Sequence, residues 1–167
     1  MNKTEQFLAI QEKIGSKISK LCAGYEYQPQ IKEELEQQVL ANIFESLDNF
    51  RGDSATTTFA YRVAVNTCCN HVKKAVRESE ARSLDHDFNM DGVSFAYEAK
   101  MDFEAMMKFA NTFKRIDREL ILLYLIGEDQ KSISEILGLS PSNVSTKLNR
   151  LKKKLTEFIK EGSAHGK

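Results

Sequence analysis

The side chains with the most chemical capacity in this 167-residue chain stand between Ser142 and Lys154. Ser142, Asn143, Ser145, Thr146 and Asn149 supply compact hydrogen-bonding groups, and Lys147, Arg150, Lys153 and Lys154 supply cations, mostly later in the stretch. On one helix that order puts short polar groups where base edges are read in a major groove and cations where phosphates pass. The chemistry is recognition by hydrogen bonds and charge, with no covalent step. A second set runs through Asn49, Arg51, Asp53, Ser54, Phe59, Tyr61, Arg62, Asn66, Lys73, Lys74 and Arg77. Aromatic faces can stack the bases of a single strand while cations follow its backbone. By residue type alone, Phe59 and Tyr61 are better read as core and boundary residues. A third set, Glu33, Glu34 and Gln37, is acidic and amide-rich at the start of a helix, where the macrodipole favours acids without any partner.

No catalytic constellation accompanies these sets. His71, His86 and His165 are isolated from one another, no H-E-x-x-H or G-x-S-x-G occurs, and no glycine-rich phosphate loop is present. Asp85, His86 and Asp87 sit in an acidic stretch that needs no cation to explain it. Cys22, Cys68 and Cys69 are an odd count without C-x-x-C spacing, which points to reduced, packed thiols and away from a disulfide framework or zinc site. The expectation is a non-enzyme without cofactor or metal.

The elements that must position these groups read as helices throughout. Phe7, Ile10, Ile14, Ile18 and Leu21 keep helical spacing from Lys3 to an end expected near Gly24, and Ile31, Leu35, Val39, Ile43 and Leu47 define a second helix. Asp48 to Ser54 carries loop composition, and a third helix follows from Thr56 to Thr58 onward. Glu78 to Glu104 is polar and acidic and reads as a flexible linker, with helical pattern resuming by about Tyr97. A short helix capped by Asp117 and ended at Gly127 then leads into DQKSISEILGLSPSNVSTKLNRLKKKLTEFI, a helix-turn-helix. In it Ile133, Ile136 and Leu137 face inward, Gly138 makes the turn, Ser140 caps and Pro141 opens the second helix. That helix buries Val144, Leu148, Leu151, Leu155 and Phe158.

The fold class expected is all-α: two small helical domains, 1–77 and 106–167, joined by the acidic linker 78–105, each half with a modest core of its own. The zero net charge conceals a division. Residues 1–77 sum to +1, 78–105 to −6 and 106–167 to +5, so a basic C-terminal unit is balanced by the linker. No apolar run suits a membrane span and the N-terminal stretch is too polar for a signal peptide, so a cytoplasmic protein without membrane insertion is expected.

The order of these parts resembles the bacterial RNA polymerase sigma factors of the extracytoplasmic-function type, in the sigma-70 superfamily. EELEQQVLANI (33–43) is similar to the family segment that docks on the clamp helices of the polymerase β′ subunit. FRGDSATTTFAYRVAVNTCCNHVKK (50–74) is similar to its promoter-melting and −10 segment, and RELILLYLIGEDQKSISEILGLSPSNVSTKLNRLKKKL (118–155) to its −35-reading domain. The resemblance implies σ2-like and σ4-like domains without a middle domain. It implies an alternative sigma factor, active as a monomer and cytoplasmic, associated with the nucleoid in holoenzyme. Implied partners are core polymerase (β′ and β), promoter DNA and an anti-sigma factor. Under it Glu33, Glu34 and Gln37 contact core polymerase. Asn49, Arg51, Asp53 and Ser54 belong to the loop that captures a flipped −10 base, with Phe59, Tyr61, Arg62 and Asn66 supporting the open strand and Lys73, Lys74 and Arg77 holding phosphates. Ser142, Asn143, Ser145, Thr146, Lys147, Asn149, Arg150, Lys153 and Lys154 face the −35 element. The acidic linker is implied to thread toward the RNA exit path. The chain departs from the family pattern at Phe59 (commonly Trp), Gln38 (commonly Glu), Asn70 (frequently Asp) and Ser134 (frequently Ala). A two-domain helix-turn-helix regulator acting without core polymerase is the alternative.

Overall fold

The computed structural model describes residues 1–82 and 99–164, and within these it contains helices and no strand. Helix α1 (Lys3–Tyr25) starts at a capping box: the Asn2 side chain accepts from the Glu5 backbone N–H, and Glu5 accepts from the Asn2 N–H, both at 2.9 Å. Ile10, Ile14, Ile18 and Leu21 form its buried stripe as the spacing predicts. The helix ends at Tyr25, next to the expected Gly24, and that glycine also serves a close approach, since a Cβ there would lie 2.8 Å from Leu122 Cδ2 and 3.1 Å from Met107 Sδ.

Helix α2 (Pro29–Ser46) opens with proline at its first position, where a missing N–H costs nothing, and buries Leu35, Val39 and Ile43. A single 3-10 turn, Leu47–Asn49, leads to the loop, where Gly52 takes φ 80°. Helix α3 (Thr56–Arg82) then packs across both α1 and α2. It carries Glu78 and Glu80 within its last turns, so the helix passes the boundary expected at residue 77. The flexible linker expected from Glu78 onward otherwise lies largely outside the described residues.

The second half consists of α4 (Ala99–Ala110), α5 (Arg115–Leu125), α6 (Gln130–Leu137) and α7 (Pro141–Ala164). Leu120 to Leu123 are all buried in α5, and Val144, Leu148, Leu151 and Leu155 in α7. Full burial of each such aliphatic side chain contributes roughly 1.5–3 kcal/mol, an upper estimate for a real denatured state. The stacked rings of Phe109 and Phe158, 4.3 Å apart, tie α4 to the later part of α7.

The two halves do not keep separate cores. Helices α1 and α3 pack on α4, α5 and α6, and the buried side chains join into one cluster. Polar links cross the same seam. Glu128 accepts from Tyr61 at 2.5 Å and from Lys17 at 3.0 Å, the Cys69 thiol donates to Glu119 at 2.9 Å, and the Asn111 amide donates to the Gly24 carbonyl. The hydrophobic pattern identified which faces are apolar but not that one domain supplies cover for the other.

Candidate nucleic-acid interface

The helix-turn-helix follows from local chemistry at each step. Asp129 caps α6 by accepting the Ser132 N–H at 2.7 Å, and that hydrogen bond holds its carboxyl below the usual carboxylate range. Gly138 takes the left-handed conformation, φ 67°, that closes the helix. The Ser134 hydroxyl donates to the Leu139 carbonyl at 2.5 Å and so pins the turn from inside, a bond that alanine there could not make. Ser140 caps α7 through the Asn143 N–H at 3.2 Å, and Pro141 begins it.

Along α7 the side chains separate as the spacing predicts. Ser142, Asn143, Thr146, Asn149, Arg150, Lys153 and Lys154 are exposed, and Ser145 and Lys147 are half-buried. Several cations are already engaged within the domain. Arg150 Nη2 lies 2.7 Å from Asp117 Oδ2, Lys147 Nζ lies 3.6 Å from Asp117 Oδ1, and Lys154 stands over the Phe113 ring. Asp117 was expected to cap its helix. The cap position is Lys114, and Asp117 sits inside the first turn of α5 with its carboxylate turned to α7.

On the first domain, Asn49, Arg51 and Asp53 are exposed around the loop and Ser54 is half-buried, its hydroxyl donating to the Ala55 carbonyl at 3.3 Å. Phe59 is half-buried against Phe50, with ring centres 4.9 Å apart, so one aromatic surface does border the loop. Arg62, Asn66, Lys73, Lys74 and Arg77 follow on the exposed side of α3. Tyr61 is the exception: only 2% exposed, its ring lies in the shared core and its hydroxyl is taken by Glu128, so it cannot stack on a strand in this arrangement. Successive helix positions differ by about 100°, which is why Tyr61 and Arg62 part company. Arg62 is exposed yet donates to the Glu135 carbonyl of α6 at 2.6 Å.

Glu33, Glu34 and Gln37 are all exposed on α2, on a side separate from its buried Leu35 and Val39. Gln38 beside them bonds Asn42 at 2.8 Å, which in turn donates to Thr67 of α3 at 3.0 Å. Among the histidines, His71 pairs with Glu26 at 2.9 Å, a contact across 45 residues that spacing could not reveal. The thiols are buried. A neighbouring Cys22 and burial raise Cys68, and burial with the Glu119 carboxylate raises Cys69, which suits inert packed groups. Among the described residues no group of His, Cys, Asp and Glu has the arrangement of a metal site, and no helix is long and apolar enough to cross a membrane.

Comparison with known proteins matches two separate stretches of the chain. Residues 12–78 match the family model for sigma-70 region 2, and residues 111–155 match that for sigma-70 region 4. The RNA polymerase sigma-H factor of Pseudomonas aeruginosa is 33% identical over 75 residues, a stretch covering 43% of this chain and 39% of that protein. The match therefore spans less than half the length of that relative. The sigma factor RpoE, solved in complex with the anti-sigma factor NepR from Bartonella quintana, aligns with a TM-score of 0.68 and 18% identity over 94% of this chain and 96% of that one. CnrH, solved in complex with the cytosolic domain of CnrY, aligns with a TM-score of 0.64 and 16% identity over 93% and 88%. At such identities the likeness is one of fold.

Proposed function

Because the chain belongs to the sigma-70 family, with a region 4 of the extracytoplasmic-function type, we propose that it acts as an alternative sigma factor that joins core RNA polymerase and directs it to promoters. The observation that carries this reading is the pairing of two different surfaces on two domains: an exposed acidic and amide face at Glu33, Glu34 and Gln37, and a capped helix-turn-helix with polar groups ahead of cations. A regulator that binds duplex DNA without the polymerase would not require the first.

In this reading Glu33, Glu34 and Gln37 dock on the β′ subunit, and the second domain lies near β. The Asn49–Ser54 loop takes a base turned out of the stack, with Phe59 beside it, while Arg62, Asn66, Lys73, Lys74 and Arg77 carry the strand. Helix α7 reads the upstream element. Tethering by the first domain supplies effective concentration, so the second domain need not bind DNA strongly alone.

Geometry adds one requirement. A compact body of this length has a radius of gyration of roughly 15 Å and so measures roughly 40 Å across. Elements centred near −10 and −35 lie about 25 base pairs apart, roughly 85 Å along B-form DNA. The packed arrangement cannot reach both, so the domains part when the holoenzyme forms, and Tyr61 and Arg62 are freed in the same step. An anti-sigma protein, the kind of partner named in the Bartonella quintana complex, would act by holding the domains in a form that excludes this separation.

Run-off transcription with core polymerase on a randomised promoter library tests the proposal. Activity dependent on the chain, with two enriched elements at fixed spacing, is expected. Tight binding of the free chain to duplex with no gain in transcription would refute it.

A further inference from the structure

Asp117 stands apart from the roles given above. It lies in the first turn of α5, yet its carboxylate leaves that helix and sits between two cations of α7. Arg150 Nη2 approaches Oδ2 at 2.7 Å, and Lys147 Nζ approaches Oδ1 at 3.6 Å. Lys147 and Arg150 are three residues apart, hence neighbours on one helical face. The Asp117 side chain is 21% exposed and that of Arg150 52%, so Arg150 is held at Nη2 while its side chain still reaches solvent. Oδ1 is buried and accepts no hydrogen bond, which leaves Lys147 as the charge it faces.

An ordinary surface ion pair between packed helices would account for the distances. Such pairs add little to stability, and here Leu120, Leu123, Leu148 and Leu151 are fully buried on these same two helices, so the fold has little need of it. The placement has a larger consequence for charge and for side-chain freedom. One carboxylate offsets one of two cations on the DNA-facing helix, and it restricts a long guanidinium to one orientation before any ligand arrives. A guanidinium fixed in advance can offer its fork to a guanine edge or a phosphate with less ordering at the moment of binding.

We propose that Asp117 is a positioning and specificity residue for −35 recognition, aiming Arg150 while suppressing indiscriminate phosphate binding by Lys147 and Arg150. This rests on the reading of α7 as the helix that faces the upstream element. Neutralising the carboxylate at constant shape then has two effects of opposite value. Affinity for any duplex rises because two cations are released, and discrimination between upstream sequences falls because Arg150 is no longer aimed.

Two measurements on the full chain test this. The first is binding of wild type, Asp117→Asn and Asp117→Glu to a random-sequence 40-base-pair duplex across a KCl series. Each additional phosphate contact steepens the slope of log affinity against log salt by about 0.9, so D117N should steepen it by about one to two. D117E, which keeps the charge, should stay near wild type. The second is the randomised-library run-off assay with holoenzyme. Wild type should return an upstream motif, and D117N the same motif with preference at one or two positions weakened by about 10-fold, in line with the loss of a bidentate contact. The downstream element should be unchanged. An unchanged salt slope together with an unchanged upstream motif would overturn the proposal and leave the −35 reading standing. Failure of wild type to return any upstream motif would overturn both.

Discussion

Replacing Tyr61 by Phe removes one oxygen atom from the seam between the domains and leaves its ring in place. The hydroxyl donates to Glu128 at 2.5 Å, and the Glu128 side chain is only 11% exposed, with Lys17 as its other partner. Burial and this carboxylate together push the Tyr61 phenol well above its ordinary value, so it remains a donor at any working pH. A hydrogen bond to a charged acceptor contributes about 1.5–3 kcal/mol. When the domains part, hydroxyl and carboxylate both return to water, so the loss falls on the closed form alone. The closed-to-open equilibrium should therefore shift toward open by about 10- to 150-fold, since 1.4 kcal/mol is a factor of about 10. Cys69 reports this directly. Its thiol donates to Glu119 of α5 across the seam, whereas the Cys68 thiol, also on α3, is paired with Cys22 of α1 inside the first domain. Alkylation followed by peptide mass spectrometry should show Cys69 reacting faster in Tyr61→Phe by that factor, with Cys22 and Cys68 changing far less. Equal acceleration of all three thiols would mean that Tyr61 stabilises the first domain and not the closure. No acceleration at all would mean that the hydroxyl contributes nothing to it.

Two further outcomes test the recognition domain. Leu148 is fully buried on α7, so Leu148→Ala should cost about 2–5 kcal/mol through lost contacts and a cavity, seen as a lower midpoint in thermal denaturation followed by circular dichroism. A variant within 0.5 kcal/mol of wild type would contradict the assigned burial. Asp129 is held below the ordinary carboxylate range by the Ser132 N–H, so its contribution is fully present above that range and lost as pH falls through the lowered value. The stability difference between wild type and Asp129→Ala should be constant near neutrality and shrink in acid; growth in acid would reverse the assignment.

Local chemistry made much of this protein readable from its residues alone. Gly138, Ser140 and Pro141 specify a turn and a new helix through interactions spanning at most four residues, and each takes the predicted role, while Asp129 adds a cap on α6 that the reading of the sequence did not assign. The apolar stripes of α1, α2 and α7 likewise follow from helical spacing, as does the exposure of Glu33, Glu34, Gln37, Asn149 and Arg150. What spacing could not reveal is which partner lies across a long separation in the chain. Gly24 stands next to the helix end as its type suggests, but that Leu122 comes close to it was not in the spacing; Asp117 reads as a cap by type and holds Arg150, 33 residues away. Residue type suited Tyr61 to a core or boundary place, and its burial agrees, but that its hydroxyl would meet the Glu128 carboxylate across the seam was not in the spacing. Periodicity identifies the faces that must leave water, and only packing determines which face meets which. For that reason the helix-turn-helix was legible in the residues, while the contacts that restrain Tyr61, Arg62 and Arg150 were decided by the tertiary structure.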